Sequence, residues 1–271
     1  MNFTIFLQEE VAKIDNIEPI EGIKYVFFKA RGVKNWREVV DDLVWEVSGT
    51  PIVFCSIQVA KYIQRFVPKL ASGLLISNQS PEPQIGMPTI FDWNQYSMVV
   101  PSDMLLNKDF SIHRFGDLEK PWTELPKEIF IRPISAWKPF AGFSCPREFV
   151  KSETNALYQL EHVLSHEMVV VFPKQDIMNE YRYWIVDSKI TTSSSYGWEE
   201  DHEFKIPPTE TDNFVKNVIP YFDNIGVTDF VLDVAETENG FKLLEINALS
   251  TSGWYGAMNA RQLITDIMKL F

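Results

Sequence analysis

Three side chains near the C-terminal end, Asp233, Glu245 and Asn247, have the types and the spacing of a hard-cation site. Phe230, Leu232 and Val234 alternate with Val231, Asp233 and Ala235, and Leu244 and Ile246 alternate with Glu245 and Asn247, the period-2 pattern of two strands. Glu238-Asn239-Gly240 separates them as a turn. A two-residue Asn239-Gly240 loop sets Glu245 beside Val234 and sends Asp233 and Glu245 to opposite faces. A three-residue loop with Gly240 left-handed pairs Asp233 with Glu245 and Val231 with Asn247, so that all three polar groups share one face. Asn-Gly suits the first loop; the closing glycine suits the second. On a shared face the two carboxylates repel unless a cation lies between them, and with an amide oxygen they are ligands for Mg2+ bridging nucleotide phosphates. The plainer alternative has Asp233 in solvent and Glu245 paired with a lysine.

Cations stand upstream. Ile129-Phe-Ile-Arg132-Pro reads as a strand that delivers Arg132 to a sheet end, and Lys138 follows after a loop. That layout holds an anion between two positive charges; a surface ion pair beside a solvated lysine explains the same residues. Glu180-Tyr-Arg-Tyr-Trp-Ile-Val-Asp187 alternates, with Glu180, Arg182 and Trp184 on one face. A buried Arg182 needs an anion, either a phosphate or Glu180 two places away in a structural pair. Arg132, Lys138 and Arg182, set against Asp233, Glu245 and Asn247, suit phosphoryl transfer from ATP with one or two Mg2+ ions.

This ordered set resembles the motifs of the ATP-grasp superfamily, and within it the clade named for two arginines and a lysine, found largely in phages and bacteria. The resemblance covers residues 121–271. It implies an ATP-grasp domain with a mostly antiparallel sheet, Arg132, Lys138 and Arg182 as catalytic residues, and Asp233, Glu245 and Asn247 as metal ligands. It also implies a nucleotide held by Lys138, Glu180, Arg182 and the segment Val171, Phe172 and Pro173, whose backbone would bind adenine. A buried structural strand explains that segment equally well. The activity implied is that of a ligase that phosphorylates a small-molecule or peptide carboxylate and lets an amine displace the phosphate. A kinase that stops at the phosphorylated substrate and a non-catalytic nucleotide-binding interaction protein are the alternatives.

The elements that must position these groups form an α/β (α+β) chain in two domains, a small preceding α/β domain over 1–120 and the catalytic domain over 121–271, with the boundary between Leu118 and Leu125. Met1–Leu7 is expected as an edge strand and Ile23–Lys29 as a second. Asn35 is placed to cap a helix through Val47, closed by Gly49; Pro51–Cys55 follows as a strand, Val59–Val67 as a helix and Gly73–Ser77 as a strand. This β-α-β-α-β order predicts a parallel or mixed sheet, and it carries no glycine-rich phosphate loop. Prolines 81, 83, 88 and 101 mark a crossing loop with short strand pieces at Met98–Val100, whose Phe91, Trp93 and Tyr96 either pack it onto the body or, as the alternative, face a substrate. Ser152 is expected to cap a helix to Ser165, Met168–Phe172 is an apolar strand, and Ser188-Lys189 turns the chain into Ile190–Tyr196. An acidic loop over 197–208, a helix that Pro220 kinks or ends, and a closing helix from Ala257 complete the chain. Trp254 and Tyr255 either line an acceptor pocket or pack in the core.

Composition limits the partners. A formal charge of −12 argues against general affinity for nucleic acid or anionic lipid. Cys55 and Cys145, the two cysteines, suit buried thiols in a reducing cytoplasm. His162 and His166 stand four apart without a third zinc ligand near them. The N-terminus has no basic leader, and apolar runs are strand-length, so neither export nor a membrane span is expected.

Overall fold

A computed structural model describes residues 2–12, 17–76, 89–120, 126–160, 163–196 and 204–271. The chain divides into two compact units, both discontinuous in sequence: Met1–Ile85, Asn179–Val234 and Glu245–Phe271 make the first, and Gly86–Met178 with Ala235–Leu244 the second.

The first unit opens with β1 (Phe3–Gln8), β2 (Ile23–Phe28), α1 (Trp36–Asp42), β3 (Thr50–Phe54), α2 (Ile57–Phe66) and α3 (Pro68–Ala71). The strands lie in the order β2-β1-β3, all parallel. β1 is therefore the central strand and not an edge. All of Phe3–Gln8 is buried, and the two polar residues tolerate this because their side chains are bonded. Thr4 Oγ1 donates to the Ser48 carbonyl at 2.8 Å, and Gln8 Oε1 accepts from the Ser56 N–H at 2.8 Å. The strand expected over 73–77 reduces, among the described residues, to a single bridge between Val53 and Leu74. α1 begins at Trp36, but Asn35 does not cap it; its amide instead donates to Glu38 at 3.1 Å.

The second unit carries α4 (Trp93–Tyr96), β4 (Ser111–Arg114), β5 (Glu128–Pro133), β6 (Phe143–Pro146), α5 (Val150–Leu160) and β7 (Met168–Pro173). Its antiparallel sheet runs β4-β7-β5-β6. β7 has neighbours on both sides, which accounts for its unbroken apolar run. Phe91, Trp93 and Tyr96 are buried, in keeping with the packing role expected of them. Met98–Val100 forms turns and not strand. Ser152 lies inside α5, donating back to the Phe149 carbonyl at 2.8 Å, because the helix already starts at Val150.

The first unit resumes with β8 (Asn179–Val186), β9 (Lys189–Tyr196), α6 (Thr209–Asp223), β10 (Phe230–Thr237), β11 (Gly240–Asn247) and α7 (Ala260–Met268), where the tip of the β10–β11 hairpin belongs to the second unit. The sheet order is β11-β10-β8-β9. The β8–β9 turn is Asp187-Ser188, one residue earlier than expected, with both residues at positive φ (+51° and +56°) as a type I′ turn requires. Asp229 accepts the Asp187 N–H at 2.8 Å and holds it there. Pro220 sits in the last turn of α6, which runs on to Asp223. α7 starts at Ala260, three residues later than expected, where Asn259 caps it by accepting from the Gln262 N–H at 2.9 Å.

A single core explains why the first unit gathers both ends of the chain. Phe3, Ile5 and Phe54 from the parallel sheet pack in one buried cluster with Trp184 of β8, with Leu263 of α7 and with Trp254. The second core centres on Phe115, Ile129, Ile131, Phe140 and Val169. Cys55 and Cys145 are free and buried, one in each unit. No helix among the described residues is long and apolar enough to cross a membrane. His162, prolines 81, 83 and 88, residues 121–125 of the expected boundary and residues 197–203 of the acidic loop lie outside the described residues.

Candidate functional site

The β10–β11 turn decides which side chains meet. Of its residues only Gly240 has a positive φ, at +88°. A two-residue type I′ loop needs positive φ at both central positions, so the turn is the three-residue form with Gly240 as its left-handed residue. The consequence appears in side-chain contacts. Asn247 Nδ2 donates to Asp233 Oδ2 at 3.1 Å and to Glu245 Oε1 at 3.0 Å, so the three polar groups lie on one face.

Arg182 joins them from the neighbouring strand β8. Its Nε donates to Asp233 Oδ1 and its Nη2 to Asp233 Oδ2, both at 2.7 Å, a fork-to-fork pair. Arg182 and Asp233 are only 6% and 5% exposed. The expected alternative, a structural pair between Arg182 and Glu180, is replaced by this one, made between the neighbouring strands β8 and β10, whereas Glu180 lies two residues along Arg182's own strand. Burial works against the guanidinium charge, but Asp233 outweighs it and holds Arg182 protonated more firmly than a free arginine. Nη1 makes longer contacts, 3.4 Å each, to the Gly253 carbonyl and the Tyr255 hydroxyl. The guanidinium also lies 4.8 Å from the Tyr196 ring centre and 5.2 Å from that of Tyr255, and the two rings meet edge to face at 4.9 Å.

Glu180 feels the negative charge gathered here. Burial first, then Asp233 and Glu245, push its carboxyl up to about 7, while Arg182 pulls the other way without cancelling them. Three carboxyl groups and one guanidinium thus act on one another across this patch.

The remaining expected site residues belong to the second unit. Arg132, at 6% exposure, donates from Nη1 to the Tyr96 hydroxyl at 3.4 Å, and that hydroxyl donates to the Leu244 carbonyl at 3.3 Å. Lys138 is half-buried in a turn closed by its own N–H on the Ser135 carbonyl at 3.1 Å. Its φ of +39° is unusual for a residue with a side chain. Val171 and Phe172 are buried in β7. Registered pairs between β4 and β7 end at Val171, so Phe172 and Pro173 extend past β4 while still paired with β5.

Several side chains at the site were not legible as such. Tyr196 and the Gly253 carbonyl give no sequence signal, since each reaches Arg182 only through the fold. Trp254 is fully buried in the core, whereas Tyr255 beside it turns its hydroxyl to Arg182. Asp92 carries no sequence signal of its own, and Tyr96 lies in a proline-rich segment whose aromatics suit packing first and a substrate-facing role second.

The family model for the ATP-grasp domain of the clade named for two arginines and a lysine, family 3, matches residues 92–267. Among solved structures, a D-cycloserine synthetase aligns with a TM-score of 0.58 at 10% identity, covering 100% of this chain and 99% of that one. The D-alanine–D-alanine ligase from Bacillus anthracis in complex with ATP aligns with a TM-score of 0.56 at 10% identity over 100% and 92% of the two chains. The D-alanine–D-alanine ligase from Coxiella burnetii gives 0.56 at 12% identity, with 100% and 95% covered. At such identities these likenesses show the fold. No curated protein matches the sequence.

Proposed function

The chain belongs to family 3 of the ATP-grasp clade named for two arginines and a lysine, and on that premise we propose that it is an ATP-dependent ligase that activates a carboxylate as an acyl phosphate and couples it to an amine or similar nucleophile. The observation that carries the reading is the shared face of Asp233, Glu245 and Asn247, fastened to a buried arginine.

The donor set fits a hard divalent cation. Two carboxylates and an amide converge, and Glu180, raised by burial first and then by Asp233 and Glu245, lies in the negative field of this face. Among the described residues no group of three His, Cys, Asp or Glu could hold a metal by itself, and the Asn247 amide is assigned as the third ligand. A half-turn of that amide exchanges its nitrogen for its oxygen toward the acids. Asp233, Glu245 and Asn247 would then hold Mg2+, which when bound supplies charge neutralisation on the phosphate oxygens.

The chain's own residues do the rest. Asp233 locks the Arg182 guanidinium in one plane through two of its five N–H groups, leaving the second N–H of Nη2, and Nη1 on exchange of its long 3.4 Å contacts, for a phosphate or acyl phosphate. Arg132 and Lys138 are assigned to phosphate oxygens. Glu180 is assigned to the nucleotide, as is the Val171–Pro173 segment, where the backbone past the end of β4 suits hydrogen bonds to a base. The intermediate's covalent bond forms on the substrate, so neither buried cysteine is needed.

The test is release of ADP and phosphate from MgATP with candidate acids and amines, followed by mass spectrometry. Because the similar structures include ligases named for D-alanine, amino acids head the acceptor panel. An adduct formed with loss of water is the expected product. A substrate that gains only phosphate identifies a kinase, and nucleotide binding without turnover across the panel identifies a sensor; either result overturns the ligase reading.

A further inference from the structure

The match to the family model begins at Asp92, a buried acid, 6% exposed, that the ligase reading leaves without a task. Asp92 precedes α4, yet its side chain is not spent on that helix. Oδ1 accepts the Ala136 N–H at 2.7 Å, and Oδ2 accepts the Thr89 N–H at 3.2 Å. Next to it, the Trp93 N–H donates to the Ile134 carbonyl at 2.9 Å. Two adjacent residues therefore grip the 134–136 backbone, far along the sequence, and Lys138 sits at the end of that loop. The Lys138 N–H closes the turn on Ser135, between the two gripped positions. A left-handed φ on a residue with a Cβ is strained and persists only where its surroundings impose it. The grip from Asp92 and Trp93 is such an imposition.

The same helical turn touches two other assigned positions. The Trp93 ring meets Phe172 edge to face at 5.3 Å, and the Tyr96 hydroxyl accepts from Arg132 at 3.4 Å. Residues 92–96 thus brace the lysine loop, the base segment and the arginine from one short piece of backbone.

We propose that Asp92 is a positioning residue for ATP: by holding the Ala136 N–H it fixes the loop that presents Lys138 to the nucleotide's phosphates. The inference rests on the assignment of Lys138 to phosphate. Its test does not require the unknown acceptor, because calorimetric titration of the full chain with MgATP and with adenosine separates phosphate contacts from base contacts. Lys138→Ala loses about 10–100-fold in MgATP affinity, the worth of a hydrogen bond to a charged group, and nothing for adenosine. Asp92→Ala loses about 10-fold for MgATP with adenosine unchanged, and adds nothing further in the Lys138→Ala background, since the loop then has no charge to present. Asp92→Asn keeps an acceptor for Ala136 and the side-chain volume. It loses about threefold for MgATP alone, the smaller worth of a neutral acceptor, and it carries the test if the alanine variant does not fold.

A MgATP loss in Lys138→Ala with wild-type affinity in both Asp92 variants overturns the positioning role and leaves the ligase reading standing. Equal losses for MgATP and adenosine, or a full further loss in the double variant, show a general structural role and also overturn it. Wild-type MgATP affinity in Lys138→Ala removes the phosphate assignment, and the inference with it.

Discussion

Replacing Asp233 with asparagine tests the main geometric feature of the site, because this residue is both a fork partner and an assigned metal ligand. The change keeps the side-chain shape and removes one charge. Arg182 is then left buried with a neutral acceptor, two 3.4 Å contacts from Nη1 and two aromatic faces. Breaking a buried ion pair from one side costs about 3–5 kcal/mol. Since the asparagine oxygen still accepts from one nitrogen and the rings still face the cation, the expected loss is about 3 kcal/mol. At about 2–4 °C per kcal/mol for a chain of this size, the midpoint of thermal unfolding falls by about 6–12 °C. The buried Trp184 and Trp254, in the same core, report it by fluorescence. Glu245→Gln is the control. Glu245 is only half-buried, and its bond from Asn247 survives the change, so its midpoint moves by less than about 2 °C, a cost under about 1 kcal/mol. Both variants lose Mg2+-dependent turnover. Equal midpoints for the two, measured with chelator and without nucleotide, would refute the view that the Arg182–Asp233 fork is part of the scaffold.

Glu180 predicts a pH dependence. Its folded pKa, about 7, lies above the ordinary 4.5, so the folded chain takes up a proton between those values. The stability this contributes is complete below 4.5 and is lost as pH rises through 7, a fall of order 3 kcal/mol. Glu180→Gln, neutral throughout, should flatten the stability curve over that window in urea titrations with chelator; an unchanged slope would show that the Glu180 carboxyl is not raised by its burial and its acidic neighbours. Gly240→Ala puts a Cβ at φ +88°, where no neighbour obstructs it but the backbone conformation itself costs about 1–2 kcal/mol. Gly240→Asn should cost less by the same unfolding measurement, and equal midpoints would argue against a left-handed residue in the turn.

Much of the fold was legible where the signal is local. The alternation of β8, β10 and β11, the apolar run of β7 and the helical spacing of α2 and α6 each show in their own residues, because a pleat or a helical turn repeats within a few positions. The errors fall where neighbours far off in sequence decide. The residues of β1 look the same at an edge as at the centre of a sheet, and only β2 and β3 on its two sides make it central. Ser152 has the chemistry of a cap, but α5 had already begun at Val150.

What the sequence determined by itself is the set of chemical groups: two acids and an amide at period-2 spacing, three cations upstream, and a turn with a glycine at its end. Partner choice it left open. Glu180 and Asp233 were both available to Arg182, and both loop lengths were compatible with Glu238-Asn239-Gly240. The tertiary structure chose Asp233 and the longer loop, because strand pairing joins residues distant in sequence and a one-residue slip sends a side chain to the opposite face.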